Sequence, residues 1–128
     1  MNWLEMLGWT DENLDDLRFV GYAYIREGKY DIALDFFRAI NLLSPNSNFD
    51  LQTLGAIYLQ KGQSIEALNF LDKSIKIDPT HFPTLLNRSK ALFSLGYKKQ
   101  GLIQASALIK CKQRNVAKQA QALIAAYQ

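Results

Sequence analysis

The sequence predicts an all-α fold in which helix–turn–helix units stack side by side. The first observation is an internal repeat. The stretch GKYDIALDFFRAINLLSP at residues 28–45 returns, 34 residues later, as GQSIEALNFLDKSIKIDP at residues 62–79. The second observation concerns the ends of each copy, since each copy begins with glycine and ends with proline. A fixed period of this length is the signature of a solenoid, whose repeats bury their apolar faces against their neighbours.

The 34-residue period defines which residues correspond between copies, and it extends upstream of the quoted stretches. A third copy follows, which matches the first two less well and lacks the proline at its end. The matching sets are Leu17, Gly21, Tyr24, Gly28, Ala33 and Pro45 in the first copy, Leu51, Gly55, Tyr58, Gly62, Ala67 and Pro79 in the second, and Leu85, Ser89, Leu92, Gly96 and Gly101 in the third.

Each of these positions has a mechanical explanation. Gly21 and Ala33 are small where two antiparallel helices cross closely, and Tyr24 fills the space beside the crossing. Gly28 is expected where the first helix ends, because glycine tolerates a positive φ. Pro45 ends the second helix, which proline cannot continue.

The elements can be placed in order from these signals. A short helix at about residues 2–7 is expected to end at Gly8. Thr10 is the expected N-cap of the next helix, because Asp11 and Glu12 suit the positive end of a helix dipole. The helix pairs are predicted at about 12–27 and 30–43, 48–61 and 64–77, and 82–95 and 98–112.

A last helix is predicted at about residues 115–127. One face of it is apolar, formed by Val116, Ala120, Leu123, Ile124 and Tyr127. Such a helix fits the atypical end unit that covers the last face of a solenoid. The repeats then span about 14–47, 48–81 and 82–113, and residues 1–128 form one domain.

Composition and charge indicate the cellular compartment in which the protein is expected. The net charge of +3 combines nine acids and four bases in residues 1–50 with three acids and eleven bases in residues 51–128. No apolar run approaches the ~20 residues that cross a bilayer, so no membrane insertion is expected. Cys111 is the only cysteine, which fits a reducing compartment, and Glu5 with no basic region before it does not suit a secretory signal. We expect a cytoplasmic protein.

The residues offer little for catalysis. His81 is the only histidine and lies in a turn, where histidine is more often a surface residue than a general base. No second histidine or cysteine stands at metal-ligand spacing, and no glycine-rich stretch matches a phosphate-binding loop. The sequence therefore predicts no enzyme, no metal site and no cofactor.

The repeat chemistry resembles the tetratricopeptide repeat family. The resemblance implies a right-handed superhelix of three helix–turn–helix repeats, in which the first helix of each pair lines a concave groove. Carried onto this chain, the groove residues are Tyr22, Ile25, Phe49, Gln52, Ala56, Leu59, Leu86, Lys90 and Phe93. This lining is apolar, which is typical of an interaction surface. In the alternative interpretation, a terminal helix of the chain itself covers the groove.

The resemblance also suggests what the groove binds. Family members that bind the acidic tails of heat-shock chaperones use a clamp of lysine, asparagine and arginine. Here Tyr22, Thr53, Pro83 and Asn87 occupy four of the five clamp positions, so the clamp is not present. An amphipathic helix or an extended hydrophobic segment of a protein partner is expected instead.

Three repeats, short length and an apolar groove are similar to the small chaperones of bacterial type III secretion systems. That resemblance implies that the groove holds a secreted, needle or export subunit, together with a second small helical protein. Two alternatives stay open: a structural adaptor of another complex, and a weak nucleic-acid-associated protein that uses the basic carboxyl-terminal end. A homodimer through the N-terminal helix also stays open.

Overall fold

The structure is a computed structural model that describes residues 2–128. In this range its regular secondary structure consists of eight α-helices and no strand. They are α1 (Trp3–Leu7), α2 (Asp11–Arg26), α3 (Tyr30–Leu43), α4 (Asn48–Gln60), α5 (Ser64–Ile77), α6 (Phe82–Ser94), α7 (Lys98–Leu108) and α8 (Arg114–Tyr127). The predicted all-α fold is confirmed.

The helices are stacked in chain order. From α2 onwards each helix packs against the next, and α6 also contacts both α4 and α8. The short helix α1 packs against α3. The hairpins α2–α3, α4–α5 and α6–α7 are therefore three consecutive repeats, and α8 closes the row.

The glycine at the end of each first helix has the expected conformation. Gly28 has φ of 75° and Gly62 has φ of 77°, both in the left-handed region that favours glycine. One residue later, the N–H groups of Lys29 and Gln63 donate to the carbonyls of Tyr24 and Tyr58 at 2.9 Å. These bonds satisfy carbonyls at the helix end and turn the chain into the second helix.

The small residues lie at close helix crossings, as predicted. A Cβ placed on Gly21 would be 2.6 Å from Cε2 of Phe37, and one on Gly55 would be 2.6 Å from Cδ2 of Leu71. Ala33 is fully buried between the same helices. A side chain at either glycine would therefore force the facing side chain or its helix to shift.

The core follows the row of helices. Phe37, Ile40 and Leu54 belong to a buried cluster shared by the first two repeats, while Leu108 and Val116 belong to a second cluster under α8. Helix α7 ends at Leu108 rather than near residue 112, because Leu108 and Val116 enter one cluster and the chain must turn between them. None of the helices in residues 2–128 has the length and hydropathy needed to span a bilayer.

Candidate protein-binding groove

The first helices of the repeats form one continuous set, and α8 extends it. Tyr22 of α2 shares a hydrogen bond of 3.1 Å with Thr53 of α4, between their hydroxyl oxygens. At the corresponding place further along, Nζ of Lys90 in α6 donates to Oε1 of Gln119 in α8 at 3.2 Å. Helix α8 therefore stands where the first helix of a fourth repeat would stand.

A buried ion pair links α2 to α4. Arg18 donates from Nε to Oδ1 of Asp50 at 2.9 Å and from Nη2 to Oδ2 at 2.7 Å, and from Nη1 to Asp15 at 2.8 Å. Asp50 is fully buried. The hydrogen bond to Asp50 is the main reason that the pKa of Arg18 is raised above its ordinary value. The positive charge of the Arg18 guanidinium is thus already compensated by two carboxylates of the chain itself.

The repeat positions of Arg18 and Asp50 also link the later helices, but through different interactions. Between α4 and α6, Oγ1 of Thr84 donates to Oε1 of Gln52 at 2.9 Å, and Thr84 also bonds Nδ1 of His81 at 2.8 Å. Between α6 and α8, Leu86 and Val116 meet in one apolar cluster. The link therefore changes from an ion pair to a neutral hydrogen bond to an apolar contact along the solenoid.

Six of the nine predicted groove residues are half-buried: Tyr22, Ile25, Gln52, Ala56, Leu59 and Lys90. Tyr22 packs its ring edge against Phe37, with centroids 5.0 Å apart, so much of it belongs to the core. Leu59 packs against the buried cluster of Ala67, Leu71 and Ala91. Ala56 lies on α4, one turn before Leu59. The middle of the face thus has accessible apolar groups on α2 and α4.

Two predicted groove residues do not form exposed apolar surface, contrary to the expectation. Leu86 is 4% exposed and Phe93 is 5% exposed. The ring of Phe93 is stacked on Tyr127 of α8, with centroids 4.4 Å apart and an interplanar angle of 8°. A Cβ placed on Gly101 would be 2.9 Å from that ring. Contacts with α8 therefore bury these two residues at this end of the face.

Phe49, a predicted groove residue, is more exposed than the others. Its side chain is 63% exposed. It lies at the start of α4 with its ring edge-to-face against His81, at a centroid distance of 6.1 Å. Phe49 is therefore an exposed apolar residue at the amino-terminal end of α4.

Helix α8 adds groove residues that the sequence did not single out. Lys90 and Gln119 line a shallow pocket of about 260 Å³ together with Ala122, Leu123 and Ala126. From the sequence, this helix is predicted only to cap the solenoid. One feature of the spacing indicates that α8 continues the repeat. Helix α6 starts at Phe82 and α8 starts at Arg114, a distance two residues short of a full period.

Between residues 2 and 128, no three His, Cys, Asp or Glu side chains converge where a metal ion could bind. Nδ1 of His81 shares a hydrogen bond of 2.8 Å with the hydroxyl oxygen of Thr84. What the face offers is shape, apolar surface and a few polar groups.

Comparison with known proteins identifies the architecture. Residues 51–81 match the family model of the tetratricopeptide repeat. A structure of PcrH in complex with the chaperone binding region of PopD has a TM-score of 0.83, with 94% of each chain covered and 22% sequence identity. The fold is a tetratricopeptide-repeat solenoid. Since the identity is low, this likeness concerns the fold.

Two other tetratricopeptide-repeat structures show how widely the fold is shared. The Yersinia enterocolitica type III secretion chaperone SycD, in complex with a peptide of the translocator YopD, has a TM-score of 0.81 at 20% identity, covering 92% of this chain and 94% of SycD. The second TPR domain of human RPAP3, in complex with an HSP70 peptide, has a TM-score of 0.76 at 18% identity, covering 87% and 91%. All three named structures contain a bound segment of another protein.

One curated relative is similar in sequence. BBSome complex member BBS4 of Bos taurus is 30% identical over 76 residues, which is 58% of this chain. The chain spans only 15% of the length of that relative.

Proposed function

We propose that this protein is a cytoplasmic chaperone that holds an amphipathic or hydrophobic segment of a type III secretion subunit in its concave groove. The observation that carries the proposal is the accessible apolar strip at successive groove positions, formed by Ile25, Ala56 and Leu59. The fold likeness to PcrH, solved with the chaperone binding region of PopD, and to SycD, solved with a peptide of the translocator YopD, supports it.

The chemistry of the groove favours an apolar partner over an acidic tail. Arg18 is engaged by two carboxylates, and Gln52 accepts from Thr84. A ligand carboxylate would have to displace these bonds, at a cost comparable to leaving a buried polar group unpaired. The apolar strip and the alanine-lined pocket beside α8 require no such exchange.

The partner assembly is part of the same proposal. A needle or export subunit would occupy the groove, and a small helical co-chaperone would bind elsewhere on the same complex. Such an arrangement keeps the apolar segment of the secreted subunit from assembling before export. The exposed residue Phe49 would extend the apolar contact area.

A structural adaptor is the second candidate function. The sequence similarity to a member of the BBSome complex favours it, because that relative is a member of a complex. An adaptor would hold its partner permanently, whereas a chaperone releases it. Secretion genes beside the coding sequence would favour the chaperone, and their absence would favour the adaptor.

Ala56 is the position at which the proposal is tested. It is half-buried in the groove, and a larger side chain there would occupy space that the partner would use. Leu59 is less suitable because it also packs on a buried cluster. We expect Ala56→Glu to lose at least about tenfold in affinity for the co-expressed secretion subunit, because binding would desolvate a carboxylate without a partner. The measurement is co-purification followed by calorimetric titration.

Ala107→Glu is the matched control, since Ala107 is exposed on α7, the second helix of its repeat. Both variants should keep the helical circular-dichroism spectrum. If Ala56→Glu binds as well as Ala107→Glu, the concave face is not the binding site. If no secretion subunit co-purifies with the wild-type chain, the chaperone proposal fails.

A further inference from the structure

Lys90 differs from the other partly buried basic residues, because it forms no salt bridge in the part of the chain that the structure describes. The half-buried lysines and arginines of residues 2–128 are Arg18, Lys61, Arg88 and Lys90. The first three form salt bridges with Asp50, Asp31 and Asp72, respectively. The charge of Lys90 therefore lies in the groove without a carboxylate of residues 2–128 paired to it.

The residues from the third repeat onwards contain no acid that could pair with Lys90. The last acidic residue of the sequence is Asp78, so residues 79–128 contain eight lysines and arginines and no aspartate or glutamate. Helices α6 and α8 form this end of the groove and so have no side-chain carboxylate to offer. A segment bound in the groove can supply one.

The ammonium of Lys90 is held in place by a neutral acceptor. Its Nζ donates to Oε1 of Gln119 at 3.2 Å, which fixes the side chain between α6 and α8. A lysine ammonium has three N–H donors, and Gln119 is the only acceptor it binds within residues 2–128. A carboxylate of a ligand would therefore add to the bond with Gln119 and would not have to displace it.

The surface beside Lys90 is apolar. Ala122, Leu123 and Ala126 of α8 complete the pocket of about 260 Å³ that Lys90 and Gln119 also line. A side chain that fits here has methylene groups against α8 and a negatively charged acceptor at its tip, and glutamate meets both requirements. A chain-terminal carboxylate fits less well, because the peptide group next to it would face apolar side chains without a hydrogen-bond partner.

Lys90 also disfavours a segment that has no acid at this point. An apolar side chain placed over Lys90 would remove water from the ammonium without supplying an opposite charge, which is costly. A carboxylate in the same place forms a charge-assisted hydrogen bond, which is stronger than a neutral one. Lys90 lies 34 residues after Ala56, at the same groove position of the next repeat, so a segment that covers both repeats meets both residues.

We propose that Lys90, positioned by Gln119, is a carboxylate subsite of the groove that binds a glutamate side chain of the partner segment. The inference rests on the proposed function, since it requires that the groove holds a segment of a partner. The segment is then apolar where it crosses Ala56 and Leu59 and acidic where it reaches α8. The subsite fixes the register of the segment and the direction in which it runs.

The experiment selects short random peptides displayed on phage, with the carboxyl end of each peptide fused to the coat protein. The targets are the wild-type chain, Lys90→Met and the matched control Lys98→Met, since Lys98 is exposed at the start of α7. Peptides that the Ala56→Glu variant also retains are discarded, which leaves groove binders. We expect the wild type and Lys98→Met to select a glutamate at one fixed distance from apolar residues, and Lys90→Met to select none.

A selected peptide then gives the size of the effect by calorimetric titration. Replacing its glutamate by glutamine should weaken binding to the wild-type chain about threefold to tenfold, as expected of a partly exposed charge-assisted bond. The same replacement should change binding to Lys90→Met by less than about twofold. Lys90→Glu should prefer the peptide in which lysine replaces the glutamate. Circular dichroism checks that each variant keeps its helices.

Each outcome separates the subsite from the groove itself. Groove-binding peptides without an acid at a fixed position refute the subsite and leave the groove proposal standing, as does an equal preference for the glutamate peptide by the wild type and Lys90→Met. Selection of acids only from a second library with free carboxyl termini also refutes it, because the ligand is then a terminal carboxylate. If no peptide distinguishes the wild type from Ala56→Glu, both proposals fail.

Discussion

Among single residues, Arg18 has the most demanding environment. Its guanidinium joins a carboxylate of its own helix, Asp15, to the fully buried carboxylate of Asp50 on α4. Such a pair contributes little net stability over an apolar pair, but breaking it leaves a charge buried without compensation. Arg18 therefore holds the first two repeats in one defined arrangement.

Replacing Arg18 by methionine should be strongly destabilising. We expect Arg18→Met to lower the free energy of unfolding by about 3–5 kcal/mol, because Asp50 would remain buried and unpaired. The double variant Arg18→Met/Asp50→Leu should recover most of the loss. Urea unfolding followed by circular dichroism measures both, and a single variant as stable as the wild type would show that water reaches Asp50.

At the scale of helices, close crossings decide the packing. Within the second repeat, Ala67 of α5 is fully buried, and a Cβ on Gly55 would lie 3.4 Å from its carbonyl oxygen. In the first repeat, a Cβ on Gly21 would lie 2.6 Å from Cε2 of Phe37. A small residue at the crossing point thus allows the helices of one hairpin to pack closely.

Enlarging the crossing residue should weaken the second repeat. Ala67→Leu should cost about 1–3 kcal/mol of unfolding free energy through overpacking. Asn69→Leu is the matched control, because Asn69 is exposed on the same helix. Urea midpoints report the difference, and equal midpoints for the two variants would place Ala67 outside the crossing.

At the scale of the whole molecule, charge is divided between the two ends. The basic residues Lys98, Lys99, Lys110, Lys112, Arg114 and Lys118 are all exposed. No salt bridge of the described residues involves any of them. This end can attract phosphates, but the aromatic side chains that stack on bases are sparse there, with only Tyr97 and Tyr127.

We expect weak nucleic-acid binding without sequence preference, because attraction by exposed lysines acts through counterion release. The affinity for single-stranded DNA should fall steeply as salt is raised, and Lys110→Gln/Lys112→Gln should reduce the slope. Fluorescence anisotropy across a salt series measures both effects. Tight binding that persists at high salt would make nucleic acid a primary ligand.

Much of the architecture could be predicted from the sequence. The 34-residue period specified three hairpins, and the positive φ of Gly28 and Gly62 followed from their positions at helix ends. These features depend on neighbours within one repeat, and each residue type has a local reason to be there. Helix bounds agreed within a residue or two, except at the end of α7, where no glycine or proline marks the stop.

The details of the surfaces were decided by the tertiary structure. Leu86 and Phe93 match groove positions by period, yet contacts with α8 bury them, and Phe19 matches buried positions, yet no helix within residues 2–128 covers it. The partner of Arg18 is likewise 32 residues away on another repeat. A repeat sequence determines which face of a helix packs, because that face recurs in every copy. Which faces remain open depends on where the solenoid starts and stops, because burial there needs a neighbour that only the assembled chain provides.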